Sequence, residues 1–421
     1  MIPQNLIINA AREVGFDLVG VVRAEAMTAE HDRFCRWLAV GHHSTLTYLE
    51  RNIDKRFDAR LLVEGARSIV VCGVSYRSPL GDGYAEGWRT KVASYALARD
   101  YHITIKEMLA ALATRLKEYA PDMTFRAFTD SAPLAEKSLA VRAGLGWIGR
   151  NSLLVNPDLG SMLHLGELVI SEDVDAYSMP MTAVGCGECR RCIAACPNGA
   201  ISEDRSINTH RCISCRTIER EATTTRDSVG EALVGSATRE SGVGVGICGA
   251  THESVGGAGI CGAARESGVG VGICGATRES GVGAGTCGAA HESGEGAGIC
   301  GTARESGEGA GTCGATHESG VGVGICGATR ESGGDTCEMG AEPIKLDGWI
   351  YGCDACQSVC PYNRRAPMHR NKNFDPLFDP TTLDAAQWLA MSEAEFRAMA
   401  GSTTMPRAGL ARIQRNISRE E

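Results

Sequence analysis

Long apolar runs are absent from this chain of 421 residues. The longest run lies around Ser68–Val74, far short of the roughly 20 residues that a membrane-spanning helix needs, so we expect no membrane segment. The stretch Met1–Val14 lacks the basic start and apolar core of a secretory signal, which favours a cytoplasmic protein. In that compartment the 19 cysteines are not expected to form a disulfide framework, so metal ligation is the better explanation for some of them.

Positive charge and aromatic side chains are also scarce. The net charge of −9 argues against a broad, nonspecific nucleic-acid surface, although a local basic patch that recognises one RNA is still compatible with it. Aromatic residues make up 5% of the chain, and residues 237–333 contain none while holding more than half of the 53 glycines. A globular protein of ordinary composition is therefore interrupted by a segment of a different kind.

This segment, residues 237–333, repeats with a period of 13. Seven cysteines recur at that interval: Cys248, Cys261, Cys274, Cys287, Cys300, Cys313 and Cys326. Each repeat buries few apolar groups against a large loss of backbone entropy, so disorder is the favoured expectation. The alternatives are a glycine-rich solenoid and a metal-binding array, although the cysteines are too sparse for a Cys-x-x-Cys clamp.

Residues 1–180 alternate strand and helix patterns, which predicts a layered α/β or α+β domain. The predicted strands are Asp17–Val22, Arg67–Tyr76, Met123–Phe128 and Leu165–Ile170. The predicted helices cover Leu6–Val14, Thr28–Val40, Ile105–Leu116, Ala132–Ala143 and, near the carboxyl end, Leu383–Ile417.

Two cysteine runs are typical of iron–sulfur proteins. The first, Cys186-x2-Cys189-x2-Cys192-x3-Cys196-Pro197, matches the bacterial ferredoxin spacing, in which three cysteines bind one cubane and the fourth binds another. The second, Cys353-x2-Cys356-x3-Cys360-Pro361, is the same run without its first cysteine. These runs supply seven of the eight thiolates that two cubanes need.

The eighth ligand is expected from Arg211–Cys215, which contains Cys212 and Cys215. Zinc is the alternative for all these thiols, but two Cys-x3-Cys-Pro endings favour iron–sulfur clusters. Cys35 and Cys72 lie in apolar patterns and are expected to be buried thiols. The residues alone therefore predict a two-cluster electron-transfer module joined to an α/β domain, without indicating what is reduced.

Several segments, in their order along the chain, carry a family likeness. They are Ala93–His102 (ASYALARDYH), Asp130–Ser152 (DSAPLAEKSLAVRAGLGWIGRNS), Leu165–Ile170, the run at 186–197, Arg211–Ser214, Ile350–Pro361 and Arg407–Asn416. Through them the chain resembles the epoxyqueuosine reductases, which are cobalamin-dependent iron–sulfur enzymes of tRNA modification. The likeness covers nearly all of the chain outside the repeat.

The resemblance implies an α+β fold with four parts. A nitroreductase-like, cobalamin-binding α/β domain is expected at 1–180. A ferredoxin-like double [4Fe–4S] domain is expected at 181–236 and 334–366, interrupted by the glycine-rich repeat at 237–333. The helical segment at 367–421 is expected to be truncated relative to the family.

The resemblance also implies the site residues. Cys186, Cys189, Cys192 and Cys360 would hold the first cluster, and Cys196, Cys212, Cys353 and Cys356 the second. Asp130 matches the family's proton donor, and a proton donor near neutral pH needs a raised pKa, which an apolar cobalamin face would supply. A cap of the following helix is the competing interpretation of Asp130. Further cobalamin contacts are implied for Arg51, His102, Asp130, Leu154, Leu165 and Leu168, against surface or core roles for the same residues.

The implied activity is that of an oxidoreductase. It would reduce epoxyqueuosine to queuosine at the wobble position of tRNA, the last step of queuosine biosynthesis, with two [4Fe–4S] clusters and cobalamin without its lower base. Its partners would be the tRNA anticodon stem-loop and a one-electron donor such as a flavodoxin or ferredoxin, and the protein is expected to be a cytoplasmic monomer. Two alternatives are an iron–sulfur electron carrier without this activity, and a corrinoid iron–sulfur reductase of another substrate, similar to reductive dehalogenases.

Overall fold

The computed structural model describes residues 1–182, 185–219 and 344–419 and, between 242 and 331, the backbone of five strands. The chain divides into two compact units. One comprises residues 1–223 and 341–421, and the other comprises residues 224–340. The first unit contains every predicted site residue.

An antiparallel sheet of four strands organises the first unit. In their order across the sheet, the strands are β1 (Leu18–Arg23), β2 (Ser68–Ser75), β7 (Leu163–Ile170) and β4 (Phe125–Phe128). All eight residues of β2 are buried, because this strand is central and both faces of the sheet are covered. An unbroken apolar run, rather than alternation, is typical of such a strand.

Helices cover both faces of this sheet. On one face α1 (Gln4–Val14) and α4 (Tyr101–Tyr119) enclose a core that includes Ile105 and Leu168. On the other face α3 (Ile53–Phe57) and α5 (Glu136–Arg142) pack against Leu165 and Val169 of β7. Alternate residues of β7 thus enter opposite layers, as the twofold period of a strand requires.

The unit contains further helices and strands. The helices are α2 (Thr28–Ala39), α6 (Arg191–Ala194), α7 (Ile213–Ile218), α8 (Ala355–Ser358), α9 (Pro361–Arg365), α10 (Ala385–Ala390), α11 (Glu393–Ala400) and α12 (Leu410–Ser418). The strands are β3 (Lys91–Val92), β5 (Trp147–Ile148), β6 (Leu154–Val155) and β13 (Trp349–Tyr351). Strand β13 pairs in parallel with β3, so the second cysteine run begins beside the α+β domain.

The repeat forms paired backbone strands, which are β8 (Gly242–Cys248), β9 (Thr251–Cys261), β10 (Ala264–Cys274), β11 (Thr277–Val323) and β12 (Thr329–Glu331). They pair in parallel one repeat apart, so that Ala264 lies opposite both Thr251 and Thr277. Pairing one repeat apart is the register that the solenoid alternative requires, and the expectation of disorder stays a prediction. Stacking each residue on its copy pairs the backbone amides, which offsets the small apolar burial. The repeat side chains, and with them the metal-array alternative, lie outside the described residues.

The predicted strands of the first domain are confirmed to within two residues at each end. The helix predicted at Ala132–Ala143 begins later, at Glu136. Asp130 has a left-handed backbone and Ala135 a non-helical one, so the preceding segment forms an irregular turn instead. In the described part of the chain, no helix combines the length and apolar character needed to cross a bilayer.

Candidate active site and cluster sites

Asp130 lies in the loop that joins β4 to α5. Its φ of 53° is in the left-handed region, which aspartate tolerates better than most residues. Its backbone N–H donates to the carboxyl group of Glu136, the first residue of α5. The cap position of that helix is Ala135, so the interpretation of Asp130 as a helix cap is wrong. The carboxyl group of Asp130 is therefore available for other partners.

Two side chains from the first turn of α4 contact this carboxyl group. The hydroxyl of Tyr101 donates to Asp130 Oδ2 at 2.8 Å, and Nε2 of His102 lies 3.1 Å from the same oxygen. Asp100 caps α4, and its Oδ1 lies 2.7 Å from Nδ1 of His102. The imidazole therefore bridges two carboxyl groups, which suits a protonated histidine because both of its ring nitrogens donate.

These contacts decide where the proton resides. The hydrogen bond from His102 lowers the pKa of Asp130 below its ordinary value and outweighs burial, which acts in the opposite direction. Burial alone would lower the pKa of His102, but its bonds to Asp130 and Asp100 raise it overall. The raised pKa expected for Asp130 depends on an apolar cobalamin face beside it, and it stays a prediction. Both shifts favour a proton on His102 rather than on Asp130.

Stacked rings hold Tyr101 in place. Its ring lies between those of His102, with centroids 4.1 Å apart, and His164, with centroids 4.3 Å apart. Burial lowers the pKa of His164 to about 3, so this second histidine is neutral and contributes packing rather than charge. The orientation of the Tyr101 hydroxyl towards Asp130 is thereby restricted.

The structure separates the predicted cobalamin contacts into two groups. Arg51 is exposed, and Leu154 and Leu165 line the layer between the sheet and α5. The carbonyl of Leu165 accepts a 2.8 Å hydrogen bond from Thr129 Oγ1, which places this leucine beside the Asp130 loop. Contacts for these three residues remain predictions. Leu168 is fully buried in the opposite layer against α4, and its contact with the cofactor likewise stays a prediction.

Three ionisable residues near Asp130 had no predicted catalytic role. Glu136 binds its backbone, and Glu167 lies fully buried on β7. Arg407 helps to lower the pKa of Asp130, and its Nη2 lies 2.6 Å from Glu219 Oε1. The sequence did contain a signal for Glu167, because it is the single acid within the largely apolar segment Leu163–Ile170.

The first predicted set of cluster ligands comes together in space. Burial raises the pKa of Cys192, and the nearby thiols of Cys186 and Cys360 raise it further. The N–H of Cys189 donates to the carbonyl of Cys186 at 3.1 Å, which keeps these two residues within one turn. Residues from both runs thus meet at one site.

The second predicted set also converges. Burial raises the pKa of Cys353, with smaller contributions from Cys212 and Cys196. Burial likewise raises the pKa of Cys356, to which Cys353 and Cys212 contribute. Cys212 therefore lies within electrostatic reach of Cys196, Cys353 and Cys356, and Cys192 of the first set also acts on Cys356.

Cys215, the competing eighth ligand, lies beside Cys212 on α7. Burial is the main cause that raises its pKa to about 11, and Cys212 adds to this. Cys212 influences the pKa of both Cys353 and Cys356, which supports Cys212 as the ligand.

The zinc alternative predicts several ligands close to one metal ion. Across residues 1–182, 185–219 and 344–419, no three His, Cys, Asp or Glu side chains converge on one point where a single ion would sit. Zinc ligands lie about 2.0–2.3 Å from one ion, whereas the thiolates around a cubane are more widely spaced.

Buried hydrogen bonds attach the second cysteine run to the α+β domain. Asp354 Oδ2 accepts from the N–H of Ser94 at 2.6 Å. Asn363 Oδ1 accepts from the N–H of Ser161 at 2.5 Å, and its Nδ2 donates to Ser161 Oγ at 3.0 Å. The cluster ligands are therefore held against the domain that contains Asp130.

Two family models match this chain. Residues 56–131 match the family described as "Epoxyqueuosine reductase QueG, DUF1730", and residues 185–248 match the "4Fe-4S double cluster binding domain". The second match confirms the predicted double-cluster domain, while the run beginning at Cys353 lies beyond its end.

Curated relatives extend this similarity. The epoxyqueuosine reductase of Leadbetterella byssophila is 37% identical over 216 residues, which cover 50% of this chain and 67% of the relative. That of Gloeobacter violaceus is 33% identical over 222 residues, which cover 52% of this chain and 68% of the relative. This chain belongs to the epoxyqueuosine reductase family. The family resemblance and the oxidoreductase class inferred from the sequence are thereby confirmed.

The family relation extends along most of the chain and to the fold. The epoxyqueuosine reductase of Cyclobacterium marinum is 27% identical over 412 residues, covering 98% of this chain and 94% of the relative. A crystal structure of an epoxyqueuosine reductase with a tRNA-Tyr epoxyqueuosine-modified stem loop superposes with a TM-score of 0.63 at 21% identity. It covers 99% of this chain and 80% of the other. A selenomethionine-labelled epoxyqueuosine reductase gives a TM-score of 0.62 at 20% identity, with the same coverage. The α+β fold of the family is therefore confirmed.

Proposed function

We propose that this protein reduces epoxyqueuosine to queuosine at the wobble position of tRNA, as the last step of queuosine biosynthesis. The observation that carries the proposal is the Asp100–His102–Asp130 array in a chain of this family. Removal of an epoxide oxygen consumes two electrons and two protons and yields an alkene and water. A bridging histidine beside a solvent-accessible carboxyl group is suited to supply a proton to that oxygen.

Two [4Fe–4S] clusters fit the thiols that the structure brings together. Cys186, Cys189, Cys192 and Cys360 would hold the first cluster, and Cys196, Cys212, Cys353 and Cys356 the second. Each set contains thiols from both runs, which is the crossed ligation of two-cluster ferredoxins. Such clusters pass single electrons, so a two-electron reduction needs a centre that accepts them in turn.

Cobalamin fits the polar atoms around the loop that follows α5. Trp147 Nε1, Arg150 Nε and Asn151 Nδ2 are buried donors without an acceptor in the described part of the chain. The rim of a corrinoid carries amide carbonyl groups, which are acceptors for such donors. Cobalamin held by these donors and in contact with Arg51, Leu154 and Leu165 would lie close to Asp130. When bound, cobalamin supplies a metal centre that delivers electrons to the substrate.

The chain's own residues hold and transfer the proton. His102 donates to Asp130, so a proton given to the substrate oxygen from the Asp130 carboxyl group is replaced from the imidazole. Tyr101 donates to the same carboxyl oxygen and helps to fix it. Asp100 orients the imidazole through Nδ1 and stabilises its charged form.

A tRNA anticodon stem-loop is the proposed partner, despite the net charge of −9. Exposed basic side chains follow the second cysteine run, and they are Arg364, Arg365, Arg370 and Lys372. Such a local patch would pair with phosphates. The proposal also includes a one-electron donor similar to flavodoxin or ferredoxin. It further includes a monomeric state, a cytoplasmic location and a nitroreductase-like architecture.

The test uses anaerobically purified protein, a stem-loop that carries epoxyqueuosine, and a one-electron reductant. Nucleoside analysis should find queuosine formed by the protein and by the surface control Asp122→Asn. An iron–sulfur electron carrier without catalytic activity would bind iron but no cobalt and leave epoxyqueuosine intact. A corrinoid reductase of another substrate would bind cobalt and still leave it intact. Either outcome overturns the proposal.

A further inference from the structure

Glu167 is a carboxyl group inside an apolar layer. It lies on β7 opposite Val71 of β2 and Phe128 of β4, and it is fully buried. Its neighbours on the same face of the strand, Leu165 and Val169, belong to the core under α5. Neither of its oxygens has a hydrogen-bond donor in the described part of the chain. A carboxylate buried in this way would be very costly, whereas a protonated acid is tolerated.

The carboxyl group of Glu136 faces Glu167 from the start of α5. The two carboxyl groups are close enough to interact directly, and one oxygen of Glu136 accepts the N–H of Asp130. Two carboxyl groups in contact cannot both be ionised in such surroundings, so one proton lies between them. That proton is the donor that Glu167 otherwise lacks.

Electrostatics agree with this geometry. Burial raises the pKa of Glu136 to about 7, and the charge of Asp130 adds to the effect. Burial raises the pKa of Glu167 well above its ordinary value, with Glu136 and Asp130 adding to it. Both shifts therefore favour a proton held by this pair rather than two ionised carboxyl groups.

The groups around the pair do not supply an alternative proton donor of similar strength. Lys137 on α5 lowers the pKa of Glu136, but its Nζ donates to the carbonyl of Ser152 at 2.8 Å. Arg56 on α3 and Tyr101 on α4 interact with Glu136, and Cys72 on β2 interacts with Glu167. None of these titrates near pH 7 in its ordinary range.

We propose that Glu136 and Glu167 share one proton and that they supply the second of the two protons consumed when the epoxide is reduced. This inference rests on the proposed function. The Asp130–His102 pair gives the first proton as one C–O bond breaks. The glutamate pair gives the second as the other C–O bond breaks and the oxygen leaves as water. The two electrons come from the external reductant through the clusters, and the pair is recharged from solvent.

The shared proton is tested directly by infrared difference spectroscopy of the purified holoprotein. Wild type minus Glu167→Gln should show the C=O stretching band of a buried carboxylic acid, and this band should shift in heavy water. Glu172→Gln changes a partly exposed acid just after β7 and should give no such band. If wild type and Glu167→Gln have identical spectra in this region, the shared proton does not exist.

The catalytic role is tested with Glu136→Gln and Glu167→Gln in single turnovers on the epoxyqueuosine stem-loop. Glutamine at 136 still accepts the Asp130 N–H, so the loop stays in place while the acid is lost. The rate should fall at least about tenfold with unchanged KM, and lowering the pH should restore part of it. Iron content and thermal midpoint should match wild type.

The outcomes distinguish the shared proton of Glu136 and Glu167 from its role in the reaction. Wild-type rates and an unchanged pH profile in both variants would overturn the role in proton delivery. A loss that low pH does not restore would indicate a structural role and would overturn it equally. If wild type itself forms no queuosine, the proposed function fails, and the infrared band still decides whether the pair holds a proton.

Discussion

Asp130 and His102 lie 3.1 Å apart, and at the scale of single residues this contact determines which of them carries the proton. Because Asp100 contacts the other ring nitrogen, the imidazolium is stabilised from both sides. The acid of the proposed reaction is therefore the pair, and its proton is available below the raised pKa of His102. As the pH rises through that value, the pair loses its proton.

His102→Gln tests this assignment. The wild-type rate should fall as the pH rises through the raised pKa of His102, since the pair is then deprotonated. The glutamine variant should lose this alkaline limb, and its rate near neutral pH should fall about 100-fold. A pH–rate profile measures both effects. A variant that keeps the alkaline limb would assign it to another group.

Cys212 and Cys215 both lie near the second cluster, so the alanine variant of one is a control for the alanine variant of the other. Wild type should contain about eight irons per chain, the content of two [4Fe–4S] clusters. Cys212→Ala should lose about half of this iron, because Cys212 influences both Cys353 and Cys356. Cys215→Ala should keep all of it. Iron analysis and electron paramagnetic resonance decide the matter, and loss of iron only in Cys215→Ala would reverse the assignment.

At the scale of elements, β7 carries an acid that destabilises the sheet. A carboxyl group whose pKa is raised on folding binds its proton more tightly in the folded state. Stability therefore falls as the pH rises from about 4.5, the ordinary pKa of glutamate, towards the raised value. Replacing Glu167 with an apolar residue should therefore abolish this pH-dependent loss of stability.

Glu167→Leu should accordingly raise the free energy of unfolding by about 1–3 kcal/mol at neutral pH. The difference from wild type should shrink as the pH falls below the ordinary pKa of the acid, where both forms are neutral. Thermal midpoints measured across this range provide the check. A difference that does not depend on pH would mean that packing, rather than ionisation, separates the two proteins.

The helices and strands that were predicted well are those with a recognisable local pattern of residues in the sequence. Strand β2 is an unbroken apolar run, and its predicted ends are within one residue of Ser68 and Ser75. The start of α5 was placed four residues early, because the left-handed backbone at Asp130 and the bond to Glu136 are set by tertiary contacts. The encounter of Glu136 with Glu167 depends on packing α5 against β7, which local periodicity does not specify.

At the scale of the whole molecule, the repeat separates Cys212 from the second cysteine run. Residues 224–340 form a compact unit of their own, and the paired strands repeat every 13 residues. Stacked repeats contact mainly their neighbours, so such a unit contributes little to distant sites. The resemblance to the family identifies the repeat as an insertion. The low apolar content of each repeat predicts disorder, whereas the structure shows paired backbone strands.

Deletion of residues 237–333 should therefore leave iron content and tRNA activity unchanged. A shorter connection lowers the entropy cost of closing the loop by only about 0.6 kcal/mol per halving, so the second cluster should assemble at least as fast. Iron reconstitution kinetics and the turnover assay measure this. A deletion variant that lacks one cluster would show that the repeat supports the ligand site.

The most direct test of the central claim is nucleoside analysis of tRNA from a strain that lacks its own epoxyqueuosine reductase and expresses this protein. Wild type should convert epoxyqueuosine to queuosine. Asp130→Asn should retain both clusters and cobalt and accumulate epoxyqueuosine, because the carboxyl group that delivers the proton is gone. Epoxyqueuosine that persists with wild type, or disappears equally with Asp130→Asn, would contradict the account.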